Sequence, residues 1–84
     1  MTKPSKIYEL LLANPNAVIG FRNLQALFVA FGFVERHGKG SHRNYKHPKV
    51  PLILTAQARG KDAVPYQVKR LLAVIVEYDL HISE

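Results

Sequence analysis

Residues 33–48 read FVERHGKGSHRNYKHP, and the fold turns on them. Up to Phe31 the apolar residues recur at helical spacing, with Leu24, Leu27, Phe28 and Phe31 at i, i+3, i+4 and i+7. From Phe33 that period disappears. FVERH and SHRNYKHP are two short extended runs around Gly38-Lys39-Gly40, the pattern of a β-hairpin. A plain turn has no need of a serine and a histidine followed by alternating basic and aromatic residues. The same stretch therefore poses both the structural and the chemical question.

Working outward, the helix before the hairpin ends at Gly32, the usual glycine position after a helix C-terminus. An earlier helix is predicted from Ser5 as N-cap, with Ile7, Leu10 and Leu11 on one face and Asn14-Pro15-Asn16 as its stop. Beyond the hairpin, LILTA at 52–56 supplies a third strand. Gly60 and Asp62 mark an exit loop, and Pro65 opens a last helix whose face is Val68, Leu71, Leu72 and Ile75. The predicted class is α+β, in the order α-α-β-β-β-α, with a three-stranded antiparallel sheet packed on helices. At 84 residues, with no repeat and no long linker, residues 1–84 are expected to form a single domain.

Composition narrows the function. There is no cysteine, hence neither a disulfide framework nor a thiolate metal site, which fits a reducing, cytoplasmic setting. The opening MTKPSKIYELLLANP lacks a cleavage-site pattern. The apolar run Leu27 to Val34 is far shorter than the ~20 residues of a membrane span, so no membrane is expected as a partner. The net charge is +6, and nine of the twelve Lys and Arg fall between Arg36 and Arg70, opposed there only by Asp62. A field so concentrated suits a phosphate backbone or an acidic protein, while a merely solvated basic face is the plain alternative.

Histidines 37, 42 and 47 lie five apart, but of the possible acidic or thiolate co-ligands only Glu35 is near, so neither metal nor cofactor is expected. Proton transfer is the better use. An imidazole with an ordinary pKa of about 6.5 can take a proton from a ribose 2'-hydroxyl, and adjacent cations stabilise the charge that builds on phosphate. His42 follows the glycine turn and has Arg43 and Lys46 close by; read plainly, it is just a polar strand residue. Ser41 is expected to orient the turn through its hydroxyl. Tyr45 has two readings, stacking on a base or packing in the core.

GKGSHRNYKHP, preceded by LFVAFGFVERH and followed by GKDAVPYQVKRLL, resembles the HicA family of bacterial toxins over roughly residues 22–78. Gly40-Ser41-His42 after a basic turn, with Tyr45-Lys46-His47-Pro48 downstream, carries the resemblance; Gly60-Lys61-Asp62 before a Pro-capped helix adds to it. It implies a fold like the double-stranded-RNA-binding domain, with a HicA-like core at 21–80 and a helical extension at 1–20. It further implies the toxin of a type II toxin-antitoxin module, a metal-independent endoribonuclease that cleaves mRNA and arrests translation. His42 would be catalytic, and Lys39, Gly40, Ser41, Arg43, Tyr45 and Lys46 would contact RNA. A HicB-type antitoxin would cover the basic face. After the third strand, where the family often has Pro and His, this chain has Thr55-Ala56-Gln57, leaving His42 without an evident acid partner.

Two other functions fit parts of the pattern. A non-catalytic RNA-binding module needs only the fold. A winged-helix DNA binder would use FRNLQALFVAF as its reading helix, but beyond Arg22, Asn23 and Gln25 that segment is mostly apolar.

Overall fold

The computed structural model describes residues 3–40 and 42–82. Its order is α1 (Pro4–Ala13), α2 (Phe21–Ala30), β1 (Val34–His37), β2 (Arg43–Lys46), β3 (Leu54–Ala56), β4 (Ala58–Arg59), β5 (Asp62–Ala63) and α3 (Pro65–Glu77). The predicted class and order hold, with the short β4–β5 hairpin added where only an exit loop was expected.

Strands β1, β2 and β3 form an antiparallel sheet with β2 central. Glu35 faces Tyr45 and His37 faces Arg43 across β1–β2, while Tyr45 faces Leu54 and Arg43 faces Ala56 across β2–β3. Because side chains alternate along a strand, Glu35, His37, Arg43, Tyr45, Leu54 and Ala56 share one face. This is the helix side: Tyr45, Leu54 and Ala56 are buried, and the Tyr45 ring lies parallel to that of Phe28 with centroids 3.9 Å apart. Arg36, Asn44, Lys46 and Thr55 take the opposite, open face.

The end of α2 explains the change of period at Phe33. The Gly32 N–H donates to the Val29 carbonyl and the Phe33 N–H to the Phe28 carbonyl, the paired bonds of a Schellman stop. Gly32 takes φ +94°, a conformation costly for any residue with a Cβ. The Phe33 ring then turns edge-on to Phe28, 5.2 Å between centroids, which aims the chain into β1.

At the other end of α2 the expected loop is organised. Ala58 pairs with Ala63 and Arg59 with Asp62 around Gly60-Lys61. The Phe21 N–H donates to the Lys61 carbonyl at 2.9 Å and the Ala63 N–H to the Ile19 carbonyl at 2.9 Å, so this hairpin is laced to the start of α2. Two-residue strands are too short to show alternation in a sequence.

Helix α1 starts one residue before the expected cap. Pro4 occupies the first turn and Lys3 is the N-cap, so Ser5 lies inside the helix. Ile7 and Leu11 are buried in the same cluster as Leu24, Leu27, Phe28, Tyr45, Val68 and Leu71. Residues ahead of position 20 thus contribute to the common core. Leu24, Leu27, Phe28 and Ala30 are buried along α2, which makes it a core helix rather than a groove reader. Among the described residues, no helix is long and apolar enough to cross a membrane.

Candidate nucleic-acid interface

The β1–β2 hairpin is closed by main-chain bonds that converge on His42. Its N–H donates to the Lys39 carbonyl at 3.1 Å, and its carbonyl accepts the Gly38 N–H at 3.0 Å. Both backbone groups of this residue are thereby fixed, while its side chain is exposed. Gly38 lies directly beneath: a Cβ there would stand 3.2 Å from the His42 carbonyl oxygen and 3.3 Å from the His42 Cβ. Gly40, at φ +60° with open space around it, turns the chain at the tip. Lys39 and Gly40 are exposed beside His42; Ser41 lies outside the described residues.

The expected phosphate-binding set divides between the two faces of the sheet. Lys46 is exposed on the open face with Arg36 and with Asn44, whose Oδ1 accepts the Thr55 hydroxyl at 3.0 Å. Arg43, half-buried, falls on the helix side at the end of the sheet. Its Nη1 lies 2.9 Å from His37 Nδ1. A guanidinium can only donate, so Nδ1 of His37 is the acceptor and the ring proton of the neutral imidazole sits on Nε2.

Tyr45 is corrected from an RNA contact to a core residue. Its ring is fully buried against Phe28, leaving no face for a base. Its hydroxyl donates to Glu35 Oε1 at 2.5 Å, and the same oxygen accepts Gln25 Nε2 at 3.0 Å. Burial, reinforced by the Glu35 carboxylate, raises the phenol pKa far above its usual value. The hydrogen bond from Tyr45, against a smaller opposing effect of burial, lowers that of Glu35.

The remaining histidine of the hairpin is structural. His47 Nδ1 accepts the Lys49 N–H at 3.0 Å, and its ring packs edge-on to Phe33 with centroids 5.1 Å apart. Each of the three histidines therefore has its own surroundings, and among the described residues no three His, Asp or Glu side chains converge as metal ligands. At the departure after β3, the Gln57 N–H donates to Gln67 Oε1 at 2.9 Å, tying the strand end to α3.

Sequence reasoning passed over a cleft at the start of α2. Arg22, Asn23, Gln25, Arg43 and Lys61 line a cavity of about 590 Å³ there, with Gly20, Phe21, Ala58 and Gly60 as floor and rim. Its residues come from three separate elements. Only the surplus of basic residues pointed towards it, since the β4–β5 hairpin that brings Lys61 over was not predictable.

A sheet backed by helices, with an exposed histidine at a basic hairpin and a basic cleft at the start of α2, makes this a small α+β protein whose positive charge gathers at these two places. The family model for the HicA toxin of bacterial toxin-antitoxin systems matches residues 21–75, more than half of the chain. The chain belongs to the HicA toxin family, as the toxin partner of a toxin-antitoxin pair. No curated protein and no solved structure matches it. Helix α1 precedes the matched region and shares its core.

Proposed function

We propose that the protein is a metal-independent endoribonuclease that cleaves mRNA in the cytoplasm and so arrests translation, with His42 as its catalytic base. The observation that carries this reading is the pinned main chain and exposed side chain of His42, next to Lys39 and Arg43. His42 takes the proton of a ribose 2'-hydroxyl, and the 2'-oxygen bonds to the adjacent phosphorus. The bond from phosphorus to the next nucleotide's 5'-oxygen breaks, that oxygen takes a proton from water as it leaves, and His42 returns its proton to solvent. The strand ends in a 2',3'-cyclic phosphate. Lys39 and Arg43 stabilise the charge developing on the phosphoryl oxygens; Gly40 and Ser41 let the strand approach the turn, and Lys46 meets the backbone on the open face. The partner is a HicB-type antitoxin whose carboxylates cover this basic surface and exclude RNA.

The test is cleavage of a labelled single-stranded RNA with EDTA present. Wild-type protein is expected to cut, and His42→Ala to lose about 10²- to 10⁴-fold in rate. Because the side chain is exposed, stability should change by less than about 0.5 kcal/mol. Equal cutting by a folded His42→Ala protein excludes the assignment. Retention of RNA by wild type without cutting would make the protein a binding module.

A further inference from the structure

Three cations from separate elements meet in the cleft at the start of α2: Arg22 from α2, Arg43 from β2 and Lys61 from the β4–β5 turn. Bringing like charges together is unfavourable unless something of opposite sign joins them. Among the described residues, no carboxylate lines the cleft. Glu35 is not a lining residue; its carboxylate interacts with Arg43 and uses one oxygen for both the Tyr45 hydroxyl and the Gln25 amide. Asp62 is exposed on β5 and is not among the residues lining the cleft. The first turn of α2 has neither an acidic residue nor a side-chain cap, so the positive end of the helix dipole adds to the field. Glu35 offsets part of the Arg43 charge, but among the described residues no carboxylate lines the cleft beside Arg22 and Lys61. The walls are fixed: the Phe21 N–H to Lys61 carbonyl bond and the Gly20–Asp62 bridge hold them together.

We propose that this cleft binds a phosphate group of a single RNA strand, flanking the one addressed by His42. The inference rests on the nuclease reading for its substrate, and Arg43 is the link. Its Cα is one residue, about 3.8 Å, from that of His42, yet its side chain enters the cleft. The bond from Arg43 to His37 Nδ1 uses one of the five guanidinium N–H groups and orients the rest, which makes His37 a positioning residue. A strand lying across the hairpin tip meets His42 first and Arg43 next. The amides of Asn23 and Gln25 offer donors and acceptors that suit a ribose hydroxyl or base edge beside the phosphate, which an acidic peptide does not need.

The experiment uses the full chain with His42→Ala to prevent cutting, and measures affinity for a labelled single-stranded RNA oligonucleotide over a range of salt. Arg22→Ala and Lys61→Ala should each weaken binding about tenfold. Each should also flatten the dependence of log affinity on log salt by about 0.7. Both side chains are exposed, so the melting temperature serves as the folding control. Lys3→Ala with Lys6→Ala removes two charges from distant α1 and should leave affinity within about twofold. Unchanged affinity and slope in Arg22→Ala and Lys61→Ala overturn the proposal, as does an equal loss in the α1 variant. Lost binding of poly-glutamate with RNA binding intact also overturns it, by making the occupant an acidic peptide. The two readings fail separately. If wild-type protein cuts no RNA but the cleft variants lose RNA affinity, the nuclease reading falls and the cleft stands; if His42→Ala abolishes cutting while the cleft variants bind like their parent, the reverse holds.

Discussion

His42 is held by its own main chain, so its placement depends on two glycines that act differently. At Gly38 a methyl group would press on the His42 carbonyl and Cβ and, at 3.2 Å, on the Asn44 amide nitrogen. At Gly40 it would meet nothing, and the penalty is that of holding an L-residue at φ +60°. Gly40→Ala should therefore cost about 1 kcal/mol in urea unfolding and reduce RNA cleavage modestly. Gly38→Ala should cost a similar ~1 kcal/mol, yet reduce cleavage on the order of 100-fold by shifting His42. Equal losses of activity would show that the tip as a whole matters and not the contact beneath His42. The Gly-Ser-His element singles this residue out in the sequence. The fit of Gly38 under it was not, because it depends on a contact across four residues that only the closed hairpin creates.

At the scale of elements, β2 and α2 are joined by the Tyr45–Phe28 stack and by the Tyr45–Glu35–Gln25 bonds. The period of each element was readable, since Leu24, Leu27, Phe28 and Phe31 follow a helical repeat and the hairpin follows its turn. Which face of β2 turns inward was not, because RNYK has no apolar alternation beyond Tyr45 itself. That is why Arg43 and Lys46, near neighbours in sequence, were expected at one site and lie on opposite faces. The inward phenol has a consequence for pH. Below about pH 10 it is protonated in both folded and unfolded chains. Above that, the unfolded chain releases a proton that the folded chain keeps, because its pKa is raised, so stability falls as pH rises. Glu35 has the opposite sign: its lowered pKa contributes stability above the unfolded value, about 4.3, that is lost as pH falls. Tyr45→Phe should remove the alkaline decline and part of the acid one, at a cost near neutrality of about 0.5–1.5 kcal/mol. Melting temperatures of the two proteins between pH 4 and 11 check this; parallel alkaline curves would place the titrating group elsewhere.

On the scale of the whole molecule, the basic half carries the proposed RNA surface and the apolar core must hold it up with few residues. A chain of this size buries a modest fraction of its surface, so each large buried side chain weighs heavily. Helix α1 lies outside the region that matches the family, yet Leu11 is 0% exposed and Ile7 3% exposed within the shared core. It should accordingly unfold with the rest of the chain and not as a separate arm. Leu11→Ala is expected to cost about 2–5 kcal/mol through lost burial and the cavity left behind. At this size that corresponds to a fall in melting temperature on the order of 10 to 30 °C, in a single transition. Ile7→Val, at about 0.5–1.5 kcal/mol, gives the graded comparison should Leu11→Ala not fold. Neither residue is among those assigned to RNA, so RNA affinity measured well below the melting point should be unchanged. A shift of only a degree or two in both variants would mean that α1 frays independently, and that the core matched by the family stands without it.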